Sequence, residues 1–234
     1  MPASLGSEVL SNYDFLDFGA SAGGSLEFGR GRLGGTRGLG IDIDAQKLQL
    51  MRAAGYECVQ GDVTKLALPA DSVRFVVMSH LLEHLSGLAD IQAAISSAAR
   101  VASDFLFIRG PYFDADNYLE SLGLRLYWSH WTGHTYHIGV TELALVLTRL
   151  GLSDHLILLS GPIPDSSHPA VHPLASPIDQ HEYDPGAHSP KPLVQFDRPV
   201  FQELVCFARL RPFSGWAQLV TPEKEGRHVF AETP

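Results

Sequence analysis

The apolar positions of this chain fall into short runs separated by polar or helix-compatible stretches, the pattern of a parallel sheet with helices on both faces. Runs near 13–18, 37–42, 56–60, 73–79, 104–109 and 154–160 read as strands, and Val200–Leu210 resumes as a seventh. Between them, Ala45–Ala54 follows Asp44, a good helix N-cap. Leu88–Val101 and Thr141–Leu150 carry apolar residues at helical spacing, and the latter stops before Gly151. The expected architecture is a single α/β domain over residues 1–234, built on a doubly wound, seven-stranded, mostly parallel sheet.

Two stretches break the alternation. Residues 111–137, after the fifth strand, are dense in aromatics and histidine and read as an inserted lid or acceptor pocket. Residues 161–199, between strands six and seven, carry nine prolines. Regular structure should be largely excluded there, so a long surface loop is expected, with His168, His172, His181 and His188 in solvent. Residues 213–234 look like a weakly specified tail.

Composition narrows the setting. Apolar residues make up 45% and charged residues 18%, a globular balance, and no apolar run is long enough to cross a bilayer. The first residues lack the basic and apolar regions of a secretory signal, which points to the cytoplasm. A net charge of -9, with 17 Lys and Arg spread along the chain, argues against a nucleic-acid partner. Cys58 and Cys206, both in apolar stretches, read as reduced core thiols rather than a disulfide framework.

The densest chemical signal is Phe15-Leu16-Asp17-Phe18-Gly19-Ala20-Ser21-Ala22-Gly23-Gly24, an apolar strand entering a small-residue turn and then a helix. Such a turn lets a ligand approach the backbone. A dinucleotide enzyme is disfavoured on two counts. Asp17 precedes the first glycine, where a carboxylate would repel a pyrophosphate, and Ser21 holds the position of the middle glycine. A carboxylate there suits an ammonium-bearing ligand. Asp42 ends the second strand and can accept from both hydroxyls of a ribose, with Ile43 beside it for an adenine face and Asp44 left to cap the next helix. Asp62, in Gln60-Gly61-Asp62-Val63, can accept from an adenine amino group, and Ser79-His80-Leu81-Leu82-Glu83-His84-Leu85 ends strand four at the same crevice.

These four ordered motifs resemble the class I S-adenosylmethionine-dependent methyltransferases, over roughly residues 13–160. The resemblance implies a Rossmann-like fold, S-adenosylmethionine as cofactor and S-adenosylhomocysteine as product. It places Asp17, Gly19, Ala20, Ser21 and Gly23 around the methionine part, Asp42 and Ile43 at the ribose and adenine, Asp62 and Val63 at the adenine, and Ser79 and His80 on the crevice floor. The run His134–Leu143 also looks like the family's segment after strand five. Ser21 in place of glycine, and Arg74 where an acid often begins strand four, depart from the pattern. The near absence of helices before the loop leaves 111–137 to close the site.

Methyl transfer is an in-line displacement, so alignment and exclusion of water are the main tasks and a base is optional. For a hydroxyl acceptor, His80 and His134 are the first candidate proton acceptors, ahead of His84, His130 and His137. The spacing of His130, His134 and His137 invites a metal, but Gly133 opposes a regular helix and no acid or cysteine completes a site in the sequence, so none is expected. The reading is methyl transfer to a small-molecule acceptor. Its rivals are a catalytically silent binding or scaffold module on the same fold and a nicotinamide dehydrogenase.

Overall fold

The computed structural model describes residues 5–232; the chain start read above for a signal segment and the last two residues of the expected tail lie outside them. Short helix α1 (Ser7–Leu10) leads into β1 (Phe15–Phe18), α2 (Gly24–Gly31), β2 (Gly38–Asp42), α3 (Ala45–Ala53), β3 (Cys58–Gln60), β4 (Val73–Ser79), α4 (Leu88–Val101) and β5 (Ala102–Pro111). There follow α5 (Asp116–Ser121), β6 (Leu124–Leu126), α6 (Val140–Arg149), β7 (His155–Pro162), β8 (Val171–Pro173), β9 (Phe201–Arg209), α7 (Trp216–Lys224) and β10 (His228–Glu232). All seven expected strands and all three expected helices are present, displaced by a few residues at most.

The main sheet runs β3-β2-β1-β4-β5-β9-β7-β10. Pairing is parallel from β3 to β5, while β9 runs antiparallel to β5 and β7, and β10 antiparallel to β7. The sheet has eight strands rather than seven, because residues 228–232 of the expected tail form an edge strand. That strand leaves Val229 and Phe230 exposed, so it has no buried face to imprint a pattern on the sequence.

Alternation along β1 sends Phe15 to one core and Leu16 and Phe18 to the other. On Phe15's side the rings of Phe15, Phe75 and Phe105 stack across β1, β4 and β5 at 4.8 Å centroid spacing. Gly38 faces this row, where a Cβ would come within 2.3 Å of Phe15. The chain order reverses at β1, between β2 and β4, and an open α/β sheet offers its ligand crevice outside the carboxyl ends of the strands at such a point.

The proline-rich stretch is not a solvated loop. Its β8 pairs antiparallel with β6, Leu124 opposite Pro173 and Leu126 opposite Val171. Beneath this ribbon Arg125 is fully buried and donates to the carbonyls of Tyr127, Ser176 and Pro177, at 3.2, 3.1 and 2.9 Å. His172 is buried, and desolvation, with the Arg125 charge, pushes its imidazole down to about 4. His188 is buried against it, His168 is half-buried, and only His181 is exposed, its ring lying against Tyr127 and Trp131. Proline removes ladder donors but leaves its carbonyl; Arg125 uses that of Pro177, and Lys191 ties the same segment through the His168 and Val171 carbonyls.

Other expectations resolve here too. Cys206 is buried, but Cys58 is only partly so, its thiol against the Leu48 carbonyl. Trp128 is buried and donates to the Tyr112 carbonyl, a packing role. Arg74 bridges the Gly34 carbonyl and Asp104, also a structural role. None of the helices among the described residues is long and apolar enough to cross a membrane.

Candidate active site

A cavity of about 690 Å³ opens at the carboxyl ends of β1, β2 and β4. Its walls are the loop after β1, Asp42 and Ile43 at the end of β2, residues 61–65 after β3, and Ser79 and His80 at the end of β4. Gly19, Ala20, Ser21, Asp42, Ile43, Asp62, Val63, Ser79 and His80, all expected at the cofactor, therefore line one space. Asp17 and Gly23 do not. Gly23 stands at the start of α2 with φ +95°, and a Cβ there would strike the Tyr56 ring at 2.5 Å, so it shapes the turn from behind.

Asp42 is held by the loop it faces: Ser21 N–H donates to Oδ2 at 2.8 Å and Asp44 N–H to Oδ1 at 2.9 Å. A carboxylate has about four acceptor sites, so two remain for a ligand. Asp44 caps α3 through Gln46 and Lys47 N–H, which separates the two acids as the sequence suggested. Ile43 stands 66% exposed at the cavity, an apolar face without a protein partner to cover it. Asp62 is held by Thr64 and paired with Lys65 at 2.7 Å.

Ser21 adopts φ +49°, the left-handed region in which glycine is at ease. Ser21→Gly should relieve this and raise stability by up to about 1 kcal/mol, roughly 2–4 °C in Tm for a chain of this size, read by thermal melting. A lower Tm would show that the Ser21 side chain holds the loop.

Asp17 lies buried beneath the loop. Ser25, which does line the cavity, donates to its Oδ2 at 2.5 Å, and Oδ1 has no partner. Desolvation, opposed by the Ser25 hydroxyl and reinforced by Asp42, pushes this carboxyl up to about 7. Because the folded value is raised, its ionisation costs stability that is present below the ordinary carboxylate value and lost as pH climbs from about 4 to 7. Asp17→Asn should therefore be as stable as the parent near pH 4 and more stable by about 1–3 kcal/mol at pH 8, by denaturant titration at both pH values. A gap that does not widen with pH would contradict the shift.

His80 takes φ +53°. Its Nδ1 is 3.2 Å from Glu83 and its Nε2 3.5 Å from Glu203. Burial lowers its affinity for protons, but hydrogen bonds to Glu203 and Glu83 outweigh this and push the imidazole up to about 9. A ring charged at neutral pH and engaged at both nitrogens is a donor. His134 differs: burial lowers its pKa, and its Nδ1 donates to the Trp128 carbonyl at 2.8 Å, leaving Nε2 with a lone pair. It lies behind the cavity wall, its ring 5.0 Å from that of His84, which is in the wall. His130 and His137 turn instead to Glu120 and Asp116.

Residues 111–137 supply none of the cavity lining; the segment backs it from behind, where the Gly133 carbonyl accepts from His84 Nδ1 at 2.7 Å and Thr135 Oγ1 donates to the Leu85 carbonyl at 2.8 Å. Sequence reasoning passed over Ser25, Lys47 and Arg109 in the wall. Arg109 donates to Ser79 Oγ at 3.2 Å and lies over the Phe28 ring. The signal for it was present, a charged residue ending the apolar run of strand five at the ligand-bearing edge.

These features fit S-adenosylmethionine. The unpartnered Asp17 oxygen is a buried acceptor without a counter-charge beneath Ser25, which an ammonium in the cavity would offset. Asp42 offers two free acceptor sites for a ribose, and Ile43 and Val63 offer apolar faces for adenine.

Residues 16–104 match the family described as a methyltransferase domain. No curated protein matches the chain. Among solved structures, a SAM-dependent methyltransferase from Archaeoglobus fulgidus superposes with TM-score 0.59 at 18% identity, covering 83% of this chain and 85% of that one. One from Methanosarcina mazei gives TM-score 0.52 at 17% identity, with 84% and 92% covered. One from Mesorhizobium loti gives 0.51 at 19%, with 84% and 90% covered. At these identities the structures share the fold.

Proposed function

We propose that the chain is a class I S-adenosylmethionine-dependent methyltransferase, on the match of residues 16–104 to a methyltransferase domain and on the shared fold, and that it methylates a hydroxyl of a small-molecule acceptor. The scaffold and dehydrogenase readings give way to an enzyme using S-adenosylmethionine. One observation carries the choice of acceptor. The cavity, at about 690 Å³, falls within the 300–1,000 Å³ range of small-ligand sites, and beyond its nucleoside-suited wall it ends in polar groups: Ser79, His80, His84 and Arg109. The net charge of -9 disfavours a nucleic-acid acceptor.

The bound cofactor supplies an electrophilic methyl carbon on a sulfonium. The chain's own tasks are to bind, orient and dry the site. Asp42 takes the ribose hydroxyls, Ile43 and Val63 the adenine, Asp62 its amino group, and Asp17 acts from below through Ser25. Arg109, whose Nε alone is taken by Ser79, donates toward an acceptor oxygen and orients it, beside the His80 ring held between Glu83 and Glu203. The unprotonated imidazole nitrogens near this wall are the Nε2 atoms of His84 and His134, whose Nδ1 atoms are both engaged as donors. Residues 111–137 remain the segment we assign to shaping the acceptor's entrance, and Cys58 and Cys206 as free thiols suit the cytoplasm.

Turnover tests the reading. With S-adenosylmethionine and a panel of metabolites bearing hydroxyl, amino or thiol groups, S-adenosylhomocysteine should form with hydroxyl acceptors. Turnover confined to amines or thiols, or none with any small acceptor, would overturn it.

A further inference from the structure

Glu83, His84 and His134 each present a donor atom within 4.8 Å of those of the other two. They come from different elements. Glu83 and His84 end a single 3-10 turn, Leu82–His84, after β4, and His134 lies in the segment before α6. The backbone ties the segments together: Thr135 and Tyr136 N–H both donate to the Glu83 carbonyl, at 2.8 and 3.2 Å.

The hydrogen-bond pattern around this trio fixes its chemistry. A carbonyl only accepts, so the bonds from His84 Nδ1 to Gly133 O (2.7 Å) and from His134 Nδ1 to Trp128 O (2.8 Å) place the proton on Nδ1 in both rings. Nε2 is then the bare nitrogen of each. Backbone carbonyls that orient imidazoles through Nδ1 are the usual outer support of metal-binding histidines. The third member is supported likewise: Glu83 is buried, and its carboxylate accepts from His80 Nδ1 at 3.2 Å, while His80 is braced on its other side by Glu203. Two oriented imidazoles and a braced carboxylate suit a first-row transition-metal dication rather than magnesium, which prefers an all-oxygen shell.

We propose that Glu83, His84 and His134 bind a divalent transition-metal ion such as Zn²⁺ at the wall of the cofactor cavity. Three protein ligands leave at least one position open. His84 lies in the cavity wall, so that position serves to hold an acceptor oxygen. This last role rests on the acceptor reading above; the ion site itself does not.

The test uses the full chain, stripped with a chelator and titrated with Co²⁺ and then Zn²⁺. One equivalent of Co²⁺ should bind with visible absorption lacking a sulfur charge-transfer band, and Zn²⁺ should displace it. His84→Ala and His134→Ala should each weaken binding at least 10-fold, while His130→Ala leaves it unchanged. S-adenosylhomocysteine titration of every variant separates lost metal binding from lost fold and from failure of the cofactor reading. The Co²⁺ spectrum of the parent chain stands independent of any variant. Absence of stoichiometric binding, a sulfur band, or binding undiminished in the His84→Ala/His134→Ala double variant would overturn the proposal.

Discussion

Asp42→Ala is expected to weaken S-adenosylhomocysteine binding by about 1–3 kcal/mol, roughly 5- to 150-fold, the scale of lost hydrogen bonds to a charged acceptor. The carboxylate acts twice. It offers acceptors to the ligand, and it holds the Ser21 and Asp44 amides that shape the loop on either side of the cavity. Asp44→Ala is the matching control. Its carboxylate caps α3 and nothing else, so it should cost about 1 kcal/mol of stability and leave affinity unaltered. Isothermal titration and thermal melting of both variants separate the roles. Equal affinity for parent and Asp42→Ala would mean that the ribose lies elsewhere.

Arg125→Ala is expected to have the largest effect on folding, about 3–5 kcal/mol, because it opens a cavity and strands three buried carbonyls. The loss should concentrate in the 161–199 segment, which Arg125 ties to the β6–β8 ribbon. Limited proteolysis of the variant should cut near Ser176 and Pro177 before the main sheet yields. Uniform resistance to protease together with an unchanged melting temperature would contradict the anchoring role.

The parallel half of the sheet was legible because each strand there is buried on both faces, and burial writes continuous apolar runs into the sequence. The lining of the cavity was legible for a related reason: its residues sit at strand ends, and Gly19, Asp42, Asp62 and Ser79 mark those ends by breaking apolar runs. Three things were not. β10 is exposed at an edge and has no buried face to signal it. The 161–199 segment owes its order to Arg125 and Lys191 reaching backbone carbonyls, contacts between residues as much as 52 positions apart that leave no local periodicity. His80 looked like a base because its residue type suggests one; what sets its charge is Glu203, which the topology brings from β9, beyond any local motif. The same distance hid the meeting of Glu83 and His84 with His134.

The most direct measurement of the central claim, that this cavity is the cofactor site, is a crystal structure with S-adenosylhomocysteine bound. Ribose hydroxyls are expected on the Asp42 carboxylate, adenine against Ile43 and Val63, and the amino end of the ligand next to Ser25 above Asp17. Ligand density in another crevice, or a ribose away from Asp42, would contradict it.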